Sequence, residues 1–183
     1  QAQVKEEMTR MKRQEAFKKA VRLTVSVLLV VAAVAVLVSS LLLPVLQIVG
    51  DSMTPTLNNN EIIALIRTNK FETGDLCSFN WNNKLLIKRI IAGPGDWVEI
   101  DAEGNISVNG EVLDEPYVSE KCLGECDLQF PIQIGENQYF LVGDHRNTSI
   151  DSRSSVIGNV GTDQIIGKVI FRVWPFSEFG LVE

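Results

Sequence analysis

Three stretches of this 183-residue chain carry side chains able to do chemistry. The first, Gly50-Asp51-Ser52-Met53-Thr54-Pro55-Thr56-Leu57, offers a hydroxyl in a stiff loop. Pro55 disfavours helix at Thr54, and Gly50 permits an unusual backbone angle or a close approach by a substrate chain. A serine after an aspartate is commonly a turn or cap residue, so Ser52 alone is a weak nucleophile candidate. The second stretch is Leu86-Ile87-Lys88-Arg89-Ile90. Strand alternation puts Leu86, Lys88 and Ile90 on one face and Arg89 on the other, where Arg89 anchors structure. An ammonium between two apolar neighbours loses water, and desolvation favours the neutral amine, which is a base. A lysine of pKa about 10.4 is only roughly 0.1% neutral at pH 7.5, and lowering that pKa by about 2–3 units needs roughly 3–4 kcal/mol of environmental bias. The competing reading is an edge lysine whose ammonium reaches water.

The third stretch is Gly143-Asp144-His145-Arg146-Asn147-Thr148-Ser149-Ile150-Asp151-Ser152-Arg153. It is either an ion-paired surface turn or a rigid polar scaffold in which Ser149 hydrogen-bonds a neutral lysine. His145 is the only histidine, so any Ser-His-Asp triad would have to use it. In this polar loop it reads as solvated. No His/Cys/carboxylate spacing suggests a metal and no glycine-rich loop suggests a phosphate, so no cofactor is expected. Cys122 and Cys126 lie in Lys-Cys-Leu-Gly-Glu-Cys. A local disulfide is favoured there over a metal pair, because no second Cys/His pair exists to complete a metal site. Cys77, among apolar residues, reads as a buried thiol.

These segments must be positioned by the elements around them. Residues 23–43 form an uncharged apolar run interrupted only by Thr24, Ser26, Ser39 and Ser40. A helix of about 20 residues rises roughly 30 Å and crosses the hydrocarbon core. The run is longer than the apolar part of a cleaved signal peptide, about 7–15 residues, and lacks a clear small-x-small site after it. It is expected to remain as a transmembrane anchor. Residues 1–50 carry seven basic and three acidic side chains, a net +4, which leaves −10 for the rest of a chain whose total is −6. The basic residues precede or begin the span, which places the N-terminus in the cytoplasm and the residues beyond 50 outside. So acidic an exported part is repelled by phosphates, and no nucleic acid is expected as partner.

After Leu57 the pattern reads as β-structure throughout. Strands are expected at 61–67, 76–81, 85–92, 97–101, 105–108, 111–113, 138–142 and 166–173. Asn82-Asn83 and Asn109-Gly110 are hairpin turns. The expected organisation is a cytoplasmic basic segment (1–22), a transmembrane helix (23–43) and an extracytoplasmic catalytic domain (44–183). The expected fold is mainly β, an antiparallel barrel or sandwich-like domain following the N-terminal helix.

The three stretches, in this order after the anchor, resemble the bacterial type I signal peptidases, the Ser–Lys leader peptidases. Gly-Asp-Ser-Met-Thr-Pro-Thr-Leu resembles the nucleophile box. Ile87-Lys88-Arg89-Ile90-Ile91 with Gly93-Pro94-Gly95-Asp96 resembles the general-base box, and Gly143 to Arg153 the last box. Trp174-Pro175-Phe176 is similar to the Trp-Pro near the family's C-terminus. The likeness runs from about residue 20 to near the end of the chain. It implies Ser52 as nucleophile, Lys88 as general base and Ser149 as the residue orienting the Lys88 amine. It also implies an Asp151–Arg153 salt bridge beneath the site, with Asp144 and Arg146 supporting the loop. The oxyanion would be held by the Ser52 N–H. Gly50 stands where some members carry a serine donor, so a side-chain donor is missing or supplied otherwise. Ile48, Gly50, Met53, Leu57, Leu86 and Ile87 would line the substrate site, which in the family prefers small residues, typically Ala, at the first and third positions before the cut.

Three departures stand out. His145 replaces the usual Asn, Ala92-Gly93 replaces the usual Gly-Leu, and the Cys122/Cys126 segment is variable in the family. Lys88, where eukaryotic-type relatives carry His, points to the bacterial branch. The resemblance implies preprotein signal peptides and the lipid bilayer as partners, with the export machinery a further one. Two other readings stand beside it. One is a dedicated Ser–Lys protease that cuts itself or a single partner. The other is a membrane-anchored β-domain that binds exported chains without catalysis.

Overall fold

The computed structural model describes residues 2–182, and their side chains except those of residues 2–9, 12, 16 and 38–42. The charges of Lys5, Glu6, Glu7 and Lys12 and the hydroxyls of Ser39 and Ser40 lie among the latter. The chain divides into two units, 1–42 and 43–183. The first is one helix, α1 (Ala2–Leu42), so the basic segment and the apolar run are continuous helix. Its stretch Arg13–Leu37 is long and apolar enough to cross a membrane. Every described side chain along it is exposed, the arrangement of an apolar helix whose solvent is lipid. Thr24, a polar residue in the run, donates its hydroxyl to the Ala20 carbonyl at 3.0 Å and so needs no water.

The second unit is β throughout. Its main sheet takes β1 (Val45–Gln47), β2 (Ile62–Ile66), β3 (Leu76–Trp81), β4 (Lys84–Ala92), β9 (Gln138–Val142), β10 (Val160–Gly161), β11 (Ile165–Trp174) and β12 (Gly180–Leu181). The order is β1-β2-β11-β3-β4-β9-β10, with β12 on β11. A smaller sheet has the order β7-β6-β5-β8, from β5 (Trp97–Ile100), β6 (Ile106–Val108), β7 (Glu111–Val112) and β8 (Ile132–Gln133). Every pairing is antiparallel. The barrel alternative is corrected: the main sheet is open, and its outermost strands have only three and two residues, too few for a closing ladder. The arrangement is sandwich-like. Val98, Ile106 and Ile134, from in and around the small sheet, pack on Ile91, Phe140 and Val142 of the main one.

Local chemistry explains the hairpins. Asn82 and Asn83 have φ of 48° and 61°, and Asn109 and Gly110 have 53° and 83°, the left-handed pairs that a two-residue turn demands. The first turn sets the β3/β4 register, which pairs Leu76 with Arg89, Cys77 with Lys88 and Ser78 with Ile87. Burying each large apolar side chain, such as Phe79 or Leu65, stabilises the fold by about 1.5–3 kcal/mol. β4 changes neighbours along its length. It pairs with β3 over its first six residues, while β9 joins its other edge only from Arg89 onward. The second edge of residues 84–88 is therefore left without a strand.

Candidate active site

Ser52 lies in a turn. The Thr54 N–H and hydroxyl both donate to the Asp51 carbonyl, at 3.0 and 2.7 Å, and the Leu57 N–H donates to the Met53 carbonyl at 2.9 Å. Met53 and Leu57 fix this turn to an apolar cluster with Ile48, Ile63, Leu65, Leu76 and Val169. Gly50 has φ +102°, and a Cβ there would meet open space. The backbone angle is one that favours glycine, and Gly50 borders a cleft beside Ser52. Its N–H donates to Asn59 Oδ1 at 3.0 Å. The Ser52 N–H donates no hydrogen bond among the described residues.

Lys88 comes from β4, with Leu86 and Ile90 packed in one apolar cluster on either side of it. It is 3% exposed, and its Nζ lies 2.6 Å from Ser52 Oγ. Burial pushes the Lys88 amine down from 10.5 to about 8. Arg153 acts in the same direction, and the Asp151 and Asp144 carboxylates oppose it.

The third stretch folds into a buried polar frame. Asp151 accepts from Arg153 Nε at 2.8 Å, from Arg153 Nη2 at 2.9 Å and from the Gly143 N–H at 3.0 Å. Arg153 also donates to the carbonyls of Arg146 (2.9 Å) and Leu123 (2.8 Å). Asp144 takes a two-pronged pair from Arg89, Nε at 3.0 Å and Nη2 at 2.8 Å. The Thr56 hydroxyl donates to the same carboxylate at 2.5 Å. Arg146 pairs with Glu115, both fully buried. The Arg89 guanidinium stacks on the Tyr117 ring, 3.9 Å from its centroid.

Residues 46–50 and 85–88 face each other across a cleft of roughly 170 Å³ that opens beside Ser52 and Met53. Ile48, Gly50, Met53, Leu86 and Ile87 line it. Leu57 does not; it is fully buried in the core. Ser149 also departs from expectation. Its buried hydroxyl makes no hydrogen bond to Lys88, whose amine is turned to Ser52, and has no other partner. Instead Ser149 is wedged against Gly143, where a Cβ would stand 2.2 Å from Ser149 Oγ and 2.6 Å from the Ser52 carbonyl oxygen. The expected Cys122–Cys126 disulfide is not formed, and Cys77, Cys122 and Cys126 are free thiols. The segment is held by other means: Arg153 binds its carbonyls, and Gly124 packs on the Arg146 carbonyl.

Sequence reasoning missed Glu115, Tyr117 and Thr56. Thr56 stood inside a quoted motif, but Glu115 and Tyr117 carry no local signal because their partners are 31 and 28 residues away along the chain.

The fold and the site define a helix-anchored β-domain with a serine hydroxyl touching a buried amine. The sequence profile described as "Signal peptidase, peptidase S26" matches residues 20–174, and the chain belongs to that family. It is 33% identical over 173 residues to the signal peptidase I S of Bacillus subtilis (strain 168), covering 88% of this chain and 93% of that protein. It is 36% identical over 151 residues to the signal peptidase IB of Staphylococcus aureus (strain N315), covering 71% and 77%. A solved signal peptidase I from Enterococcus faecalis V583 aligns at TM-score 0.44 and 26% identity, over 54% of this chain and 96% of that one. The chain is a single-pass membrane protein whose β-domain lies outside the cytoplasm.

Proposed function

We propose that the protein is a signal peptidase that removes signal peptides from exported preproteins with a Ser52–Lys88 dyad, cutting after small residues. One observation carries the reading: a nearly water-free lysine amine at 2.6 Å from a serine hydroxyl beside an open cleft. With a pKa near 8, the amine is neutral often enough at physiological pH to act as base.

The cleft suits an extended chain. β1 has a free edge opposite β2, and residues 84–88 have a free edge opposite β3. A peptide entering between them gains strand hydrogen bonds on both sides. Ile48, Met53, Leu86 and Ile87 line the cleft beside Ser52, an apolar wall suited to small apolar side chains before the cut. The neutral Lys88 amine takes the Ser52 proton as Oγ attacks the scissile carbonyl. The resulting oxyanion is met by the unpaired Ser52 N–H, and a backbone-built oxyanion site needs no side chain at Gly50. Collapse transfers the proton from the Lys88 ammonium to the departing amine and leaves an acyl-enzyme. Lys88 then takes a proton from water, whose oxygen attacks the ester and restores Ser52. Ser52 follows Leu42, the last residue of α1, by ten positions in the chain, so the anchor keeps the enzyme on the membrane that holds its substrates. Substrates held in the same bilayer are thereby concentrated. Asp144, Arg146, Asp151 and Arg153 hold the frame, and Ser149 fills the space behind Gly143.

The test is cleavage of a preprotein by the full chain in liposomes, with the cut site mapped by mass spectrometry. Ser52→Ala and Lys88→Ala should each abolish cleavage; full activity in either overturns the assignment. Covalent labelling of Ser52 by a serine-acylating probe separates an enzyme from a binding domain. A panel of unrelated preproteins separates a general peptidase from a dedicated one.

A further inference from the structure

His145 is unused by the proposed chemistry, yet it touches the nucleophile turn at three points. Its backbone N–H donates to the Ser52 carbonyl at 3.1 Å. Its Nδ1 lies 3.1 Å from Thr54 Oγ1 and 3.3 Å from the Asp51 carbonyl oxygen. The direction of these bonds follows from counting protons. A threonine hydroxyl has one hydrogen, and Thr54 spends it on the Asp51 carbonyl at 2.7 Å. Thr54 Oγ1 can then only accept, and a carbonyl oxygen never donates. The imidazole must therefore carry a proton on Nδ1, and in the neutral ring Nε2 is then the bare nitrogen.

We propose that His145 is a positioning residue: as the Nδ1–H tautomer it clamps the Asp51–Thr54 turn and so holds the Ser52 hydroxyl against Lys88. This rests on the Ser52–Lys88 reading above. The side-chain clamp acts on the residues on either side of Ser52, while the backbone bond, which any residue but proline would keep, fixes Ser52 itself. Asp144, next to His145 in sequence, binds Thr56 at the far end of the same turn. Neighbouring positions of the third segment thus grip both ends of the nucleophile turn. The 2.6 Å hydroxyl–amine approach depends on that grip, because misplacing a reacting atom by about 1 Å can cost on the order of a hundredfold in rate.

Two experiments test it on the full chain in detergent micelles. In the first, preprotein cleavage is measured for His145→Asn, His145→Ala and His145→Asp, with Ser52→Ala alongside. Asn presents an amide N–H close to where Nδ1–H stood and should stay within about threefold of wild type. Ala should lose roughly 10–100-fold in kcat with KM within about twofold. Asp, which offers only an acceptor to two acceptors, should fall below Ala. Wild-type kcat in His145→Ala, or an Asn variant no better than Ala, overturns the clamp. An active Ser52→Ala overturns the underlying dyad instead. The second experiment needs no variant. The chain has one histidine, so a histidine-selective ¹⁵N spectrum at alkaline pH reports this ring alone. The Nδ1–H tautomer is expected, and a predominant Nε2–H form overturns the proposal.

Discussion

Arg89 holds Asp144 by two parallel bonds, Nε to Oδ1 at 3.0 Å and Nη2 to Oδ2 at 2.8 Å, with both side chains out of water. Arg89 follows Lys88 in the chain and Asp144 precedes His145, so this pair locks the strand carrying the amine to the loop that grips the Ser52 turn. A bidentate fork fixes distance and angle together, which a single ammonium cannot. Arg89→Lys keeps the charge but loses the fork and the stack on Tyr117. We expect preprotein cleavage to drop at least tenfold although the variant remains folded by circular dichroism.

The pH profile should report Lys88. Below a pKa of about 8 the amine holds its proton and has no lone pair for Ser52. The cleavage rate should rise about tenfold per pH unit up to that value and then level. Asp151 raises the Lys88 pKa, so Asp151→Asn should move the limb to lower pH. A limb that moves to higher pH, or a rate flat from pH 5 to 9, contradicts the assignment.

Burying a lysine destabilises the fold at neutral pH. The unfolded side chain takes its proton as pH falls through 10.5, the folded one only near 8. Wild-type stability therefore falls with falling pH across that window and stays low beneath it. Lys88→Met should be inactive yet more stable at pH 7 by about 1–3 kcal/mol. The gain should shrink toward zero as melting is measured nearer pH 10.5.

Gly143 leaves no room for a methyl group. A Cβ there would be 2.6 Å from the Ser52 carbonyl oxygen, a backbone atom that cannot step aside without moving Ser52. Gly143→Ala should cost about 1–3 kcal/mol of stability. Residual activity should fall more than the melting temperature suggests, read as kcat per folded molecule.

Glu115 and Arg146 form a buried pair. Removing one partner leaves an uncompensated charge, so Glu115→Ala should lose about 3–5 kcal/mol. Adding Arg146→Met removes that charge and should recover part of the loss in a thermal melt. A double variant no better than the single one would show that the pair is not the source of the effect.

Much of this was legible in one dimension. The 23–43 run needs only length and polarity to read as a span, and α1 covers all of it but Leu43. Leu76–Trp81 and Gln138–Val142 are strands within the expected bounds, because a short apolar-rich run beside turn residues is a signal held in its own residues. The hairpins at Asn82-Asn83 and Asn109-Gly110 follow from residues that tolerate left-handed φ. β1 went unread: three residues after a long apolar run carry no period of their own. The Cys122–Cys126 expectation rested on the compartment and on the lack of a second Cys/His pair, and neither contains Arg153, which binds the carbonyls of that segment.

The sequence by itself determined the span, the strand-rich domain beyond it and the residue types in the three motifs, since each depends on side chains near one another in the chain. Tertiary structure alone decided which of them meet. Ser52 and Lys88 are 36 positions apart, Arg89 and Asp144 are 55 apart, and Arg146 finds Glu115 31 positions away. Whether Lys88 is a surface cation or an amine near pKa 8 depends on how much water the packed sheets exclude, and Ser149 lost its expected partner because the amine turned to Ser52. Those outcomes come from burial and sub-ångström packing, quantities that exist only once distant segments share a volume.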